Sequence, residues 1–209
     1  MIIMKNIIRV VVLVLSLTTI NKYCYAQRTM ALRAFEVLKN NYRNRIDTTD
    51  NGEDIAYIQD TDNELDKYVG VWKGSINNRN YEISLVKRIA YKRDADDEKS
   101  KDLLKAWITV TDIDGNIIYT NTNKTEKSNG FTGDNFQTNT NIYRLNFTGN
   151  CYNDSGNAFL YINPITGKMN LTYGIISDIK SNDCPSNYAP VLPTNDSGVS
   201  LAKQQLLIE

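Results

Sequence analysis

The sequence predicts an all-β domain: a single antiparallel meander closed into a barrel or a tight sandwich, with an irregular lead-in ahead of it. Three observations predict this. From Lys67 onward, apolar and polar residues alternate with a period of two in one segment after another. The connections between these segments are short or polar, and none carries a helical period, so strands consecutive in the chain should be neighbours in space. Turn chemistry punctuates the pattern, most plainly at Asp114-Gly115 and Pro164–Gly167.

Residues 1–26 read as a signal peptide. Lys5 and Arg9 give a basic start, and Val10–Leu17 is an apolar run broken only by Ser16. Cys24-Tyr25-Ala26 then sets small residues at the −3 and −1 positions before Gln27. The run is well short of the ~20 residues that span a bilayer, so the mature chain is expected to be exported, periplasmic or secreted, without an integral membrane segment. Lipidation at Cys24 calls for Leu and a small residue just upstream. Asn21 and Tyr23 stand there instead and argue against a lipoprotein.

Residues 27–63 form the lead-in. Leu32, Phe35 and Leu38 permit a short amphipathic helix, while Asn40, Asn41, Asp47, Asp50, Asn51 and Gly52 argue that no helix continues beyond it. Residues 64–209 hold the β-domain. Tyr68–Trp72 opens its first strand, followed by alternation at Tyr81, Ile83 and Leu85, then at Leu104, Ala106, Ile108 and Val110. The Asp114-Gly115 hairpin leads into Ile117–Thr120. Tyr143, Leu145 and Phe147 mark the next strand, Phe159–Ile162 another, and Met169, Leu171, Tyr173 and Ile175 the one after. A short last strand at Val199–Leu201 would close the sheet. Lys92–Asp102 reads as a mixed-charge hairpin tip, and Thr122–Asn141 as a polar loop without a strand.

Gly70-Val71-Trp72 follows a short turn, as Gly-x-Trp does in lipocalin-like barrels, where the Trp packs across the closed end. A longer pattern carries a closer resemblance. It runs through Leu32-Arg33-x-Phe35, Ala56-Tyr57-Ile58-x-Asp60-Thr61 and Asn63-Glu64-Leu65-Asp66-x-Tyr68-x-Gly70-x-Trp72-Lys73-Gly74. It resembles a family of small secreted proteins from Bacteroidetes classed as a domain of unknown function. Gly115–Ile118 and the late Leu192-Pro193-Thr194 with Val199-x-Leu201-x-Lys203 are similar to that family's mid-chain hairpin and ending. The resemblance implies a secreted lipocalin-like β-domain and carries over no activity.

The residue inventory narrows the chemistry. The chain has no histidine, which removes the commonest general base and zinc ligand. No Gly-x-Ser-x-Gly occurs, and Glu82 is the one carboxylate in mid-strand. Asp112-Ile113-Asp114-Gly115-Asn116 is a hairpin rather than a calcium loop, because the twelfth position holds Asn123 instead of a bidentate Glu. No catalytic residue, metal or cofactor is therefore expected. Loss of residues 1–26 removes Lys5, Arg9 and Lys22 and no acidic residue, leaving 21 basic against 24 acidic side chains. There is no basic stripe for nucleic acid. Cys151 and Cys184 remain as an even pair in an exported chain, and a disulfide between them is expected.

A binding role fits best, with two forms. In the first, a small apolar or aromatic ligand sits inside the barrel against Tyr68, Trp72, Tyr81, Trp107, Tyr143, Phe147 and Tyr173. In the second, the core is filled, and the 122–141 loop or the Trp107 face meets a protein or glycan partner.

Overall fold

The computed structural model describes residues 28–47, 49–128, 130–149, 154–176, 190–194 and 198–204. In chain order it contains β1 (Arg28–Ala31), α1 (Leu32–Arg43), β2 (Ile55–Gln59), a 3-10 turn (Asp66–Tyr68), β3 (Gly70–Ile76), β4 (Arg79–Tyr91) and β5 (Ser100–Asp112). Then follow β6 (Ile117–Thr120), β7 (Phe131–Phe136), β8 (Tyr143–Thr148), β9 (Ser155–Ile162), β10 (Met169–Ile175) and β11 (Val199–Lys203). The order β5-β4-β3-β11-β10-β9-β8-β7 returns to β5 through a β5–β7 pairing, so eight antiparallel strands close a ring. This is the expected lipocalin-like barrel, with β1, β2 and β6 added outside it. The signal peptide lies outside the described residues.

Alternation sets the barrel's inside. Trp72 faces Ile83, Ile83 faces Ile108, and Tyr81 faces Val110, and all five are buried. Turn chemistry holds the first hairpin: Asn77 and Asn78 both take positive φ, 52° and 60°, as a type I′ connection requires. At the far end of the chain β11 slots between β10 and β3, pairing Ala202 with Lys73 and Lys203 with Trp72.

The large side chains gather in the interior as two clusters. Near one end Tyr68, Phe136 and Tyr143 pack with ring centroids 5.0–6.3 Å apart. Near the other, Phe147 meets Phe131, Tyr119 and Tyr173 edge-on at 5.0, 5.8 and 5.7 Å. Eight strands enclose a space just wide enough for side chains to fill. Small residues make the fit possible: a Cβ on Gly156 would stand 2.8 Å from the Tyr173 ring.

Three local expectations are corrected. The polar stretch 122–141 contains a barrel strand, β7. Its two apolar residues, Phe131 and Phe136, are five apart, which on a regular strand points them to opposite faces. A register shift between Gly133 and Phe136 brings both inside, where each is 1% exposed. The lead-in is also ordered: β1 and β2 extend the sheet in parallel from β5, and α1 runs through Asn40 and Asn41 to Arg43. Burial of Leu32 and Phe35 outweighs the weak helix propensity of those asparagines. Finally, the Cys151–Cys184 disulfide expectation is corrected: among the described residues no cysteine pair stands at bonding distance, and both cysteines lie outside them.

The seam between β5 and β7 closes the ring with little ladder, the one pairing being Lys105 with Thr132. Side chains do the rest. Asn121 Oδ1 accepts from the Ile108 N–H at 2.6 Å and its amide nitrogen donates to the Ala106 carbonyl at 3.4 Å. The Tyr143 hydroxyl accepts from the Leu104 N–H at 3.3 Å, and the Lys105 ammonium donates to the Thr132 hydroxyl at 2.7 Å.

Candidate functional site

The barrel opening matches the Gly-x-Trp expectation. Trp72 is 1% exposed, and its Nε1 donates to the Tyr68 carbonyl at 2.7 Å. Gly70 adopts φ 131°, and the space where its Cβ would sit is taken by the Lys203 side chain. The Lys203 ammonium lies 5.4 Å from the Trp72 ring centroid. The 3-10 turn places Tyr68 beneath, its hydroxyl donating to the Asn141 carbonyl at 2.8 Å.

Of the seven aromatic residues expected to line a ligand pocket, Tyr68, Trp72, Tyr81, Tyr143, Phe147 and Tyr173 are inside the barrel, and none is more than 5% exposed. Trp107 is outside and half-buried, its Nε1 pointing at the Lys124 carbonyl 3.5 Å away, with the Arg88 guanidinium 5.9 Å from its ring centroid. Inside, the Tyr119 and Tyr173 hydroxyls are buried without a hydrogen-bond partner. Burial raises both phenols, that of Tyr119 to about 12, and the Asp154 charge adds to the effect.

Glu82 and Asp112 are otherwise engaged. Glu82 is half-exposed on the outer face and pairs with Lys73 at 2.8 Å. Asp112 accepts from the Asn116 backbone and side-chain N–H groups, both at 2.8 Å, so its charge is used by its own hairpin. Ser84 and Lys87 have a Ser-x-x-Lys spacing, but three residues along a strand put them on opposite faces. Lys87 is moreover ion-paired with Asp60 and Asp66 at 2.8 and 2.7 Å. Among the described residues no group of three or more His, Cys, Asp or Glu is placed to hold a metal ion. No described helix is long and apolar enough to cross a membrane.

The cavity that stands out lies on the outer face. It measures about 810 Å³ and is bounded by β5, by β7 and β8, and by the segment linking β4 to β5. Lys101, Leu103, Lys105 and Thr132 form its floor, with Arg93 and Lys127 exposed at its rim. Lys105 is only 2% exposed and lies 4.9 Å from the Tyr91 ring centroid. Lys101 donates to the Asp134 carbonyl oxygen and lies 5.8 Å from the Phe35 ring centroid. Sequence reading missed both lysines, because an outward strand position looks solvated until something covers it. Leu103, apolar on that same outward face, was the available hint.

Burial pushes the Lys101 ammonium down to about 8; the Asp134 charge works against this, and Lys39 and Arg144 reinforce it. Burial also lowers Lys105. An unfolded lysine keeps its proton to about 10.4, so between these values the unfolded chain binds the additional proton, and stability rises with pH. The raised phenols act only above about 10, where the folded protein holds the additional proton and stability falls. The denaturant midpoint of the wild type is therefore expected to be higher near pH 9.5 than near pH 7.5, with a smaller rise in Lys101→Met. A wild-type midpoint that is flat or falling over this range would contradict the buried placement of these amines.

No curated protein and no solved structure matches the chain. The similarity that is found stops at Leu104, short of the Gly115 hairpin and the 192–203 ending. Over residues 4–104, through the lead-in, the Gly70-x-Trp72 opening and the first part of β5, the chain is similar to a family of unknown function (DUF6705).

Proposed function

We propose that this is an exported, non-catalytic binding module, periplasmic or secreted, that engages its partner on the outer face of a filled barrel. The observation that carries the reading is the packing of the expected pocket residues. Tyr68, Tyr143, Phe147 and Tyr173 lie against one another or against Phe131 and Phe136 at 5.0–6.3 Å, leaving these interior aromatics as core. An open volume lies beside the β5–β7 seam. At about 810 Å³ it falls within the several-hundred to about 1,000 Å³ range of small-molecule sites.

A second reading keeps a small apolar or aromatic ligand inside the barrel. The unpartnered hydroxyls of Tyr119 and Tyr173 favour it, since buried phenols ordinarily find a partner and a ligand carbonyl or hydroxyl would supply one. Native mass spectrometry of residues 27–209 purified from the native host, before and after denaturation, separates the two. The outer-face reading expects the apo mass, because an open site exchanges its ligand during purification. A discrete apolar molecule released only on denaturation would establish the interior site and overturn it.

A further inference from the structure

We propose that the outer-face cavity is an oxyanion site: it seats the carboxylate or phosphate of a small hydroxylated ligand, such as a sugar acid or sugar phosphate, against Lys105 and Lys101. This inference rests on the outer-face reading above and names its ligand class.

The argument begins with a cost. Lysine is rarely buried without a counter-charge, because removing an ammonium from water is expensive unless an anion or several acceptors replace the lost hydration. Lys105 is 2% exposed, yet its ammonium has one hydroxyl acceptor, on Thr132, and a tyrosine face. Lys101 has a backbone carbonyl.

Carboxylates nearby are committed elsewhere, apart from the buried Glu36, which pairs with Arg33 at 3.6 Å and acts on Lys101 only at longer range. Asp134 pairs with Arg144, Glu126 with Arg88, and Asp97 accepts from the Arg93 and Asp94 N–H groups at 2.9 and 3.1 Å. Asp96 and Glu98 are exposed at the rim. Neither floor lysine forms an ion pair among the described residues. Two under-compensated cations on one cavity floor are what an anionic ligand would neutralise.

The walls suggest what the anion is attached to. Thr132, Asn146 and Thr148 project from β7 and β8 with hydroxyl and amide groups, the last two exposed to the opening. Such a wall hydrogen-bonds hydroxyls and offers little to an alkyl chain. Tyr91 and Leu103 are the apolar surfaces at the floor. The barrel seam and the site therefore share residues: Lys105 and Thr132 pair in the ladder and face the cavity.

The test is a titration of the 27–209 protein followed by amide ¹H–¹⁵N spectra, with glucuronate, glucose 6-phosphate, inorganic phosphate and neutral glucose as probes. The expected result is saturable shifts, with probes at up to about 20 mM, in Leu103–Ala106 and Thr132–Asp134 for at least one anionic probe and not for glucose. Comparing the three anions tells a carboxylate from a phosphate site, and a free ion from one on a sugar. Lys105→Met, which keeps the aliphatic stem's volume, is expected to weaken that binding by roughly tenfold or more. Should that variant fail to fold, Lys101→Met supplies the same comparison, and the wild-type shift map stands without any variant.

Shifts at the cavity with glucose equal to those with the anions would overturn the oxyanion inference and leave the outer-face reading standing. Shifts centred on Phe147 and Tyr173 would overturn both. No shift with any probe would overturn the oxyanion inference, with the outer-face reading decided by the native mass.

Discussion

Replacing Trp72 with alanine is expected to lower the unfolding free energy by about 3–5 kcal/mol. A drop of roughly 10 °C in the thermal midpoint would follow in a domain of this size. Three losses combine. The indole is 1% exposed, so truncation opens a cavity between β3, β4 and the 3-10 turn. The Tyr68 carbonyl loses a buried donor at 2.7 Å. The Lys203 side chain, held over the ring, loses its platform and with it part of the β11–β3 contact. Trp72→Phe should retain most of the packing and cost about 1–2 kcal/mol, mainly for the orphaned carbonyl. Denaturant midpoints of both variants check this. A loss under about 1 kcal/mol for the alanine variant would show that Trp72 does not close the barrel end.

Gly133→Ala is expected to cost about 3 kcal/mol, an unusually large effect for adding one methyl group. The added Cβ would stand 2.3 Å from the Tyr143 hydroxyl and 2.7 and 2.9 Å from the Leu104 carbonyl oxygen and nitrogen. Tyr143 is buried in an aromatic cluster and Leu104 is backbone, so neither yields without parting β5 from β7. Gly174→Ala is the control. Its Cβ would meet only the Phe159 ring, at 3.7 Å, so the change should be near neutral or slightly stabilising. Chemical denaturation of the pair reads the difference, and equal midpoints would mean that the seam is looser than its geometry.

The contrast between these glycines bears on what a sequence reveals. The strands β3, β4, β5, β8 and β10 were legible because each pairs one buried face with one polar face, and that asymmetry is written residue by residue. Gly70-x-Trp72 was legible because its glycine and its tryptophan act on adjacent atoms. The strand β7 was not, since its apolar residues come into phase only through a bulge whose position is set by the partner strand. Nothing local distinguishes Gly133, pressed on Leu104, from Gly174, which has room. The same limit applies to the candidate site. Lys101 and Lys105 occupy outward positions as ordinary as that of Lys73, and only the 92–99 segment and β7, arriving from elsewhere in the chain, turn them into the floor of a cavity. Part of the interior was visible as composition: the abundance of tyrosine foretold an aromatic barrel, but not whether its rings would line a hollow or fill it.

The placement of β11 has a kinetic consequence. The ring is completed where Lys203 meets Trp72, two residues that are 131 positions apart along the chain. Everything between them can form hairpins early, but the cylinder stays an open, curled sheet until residue 203 is free to reach β3. Long-range pairing of this kind is slow, and the unpaired β3 and β10 edges remain open to association meanwhile. A chain delivered from its amino-terminal end would thus remain unclosed until residue 203 had emerged, and would acquire its final stability in one late step.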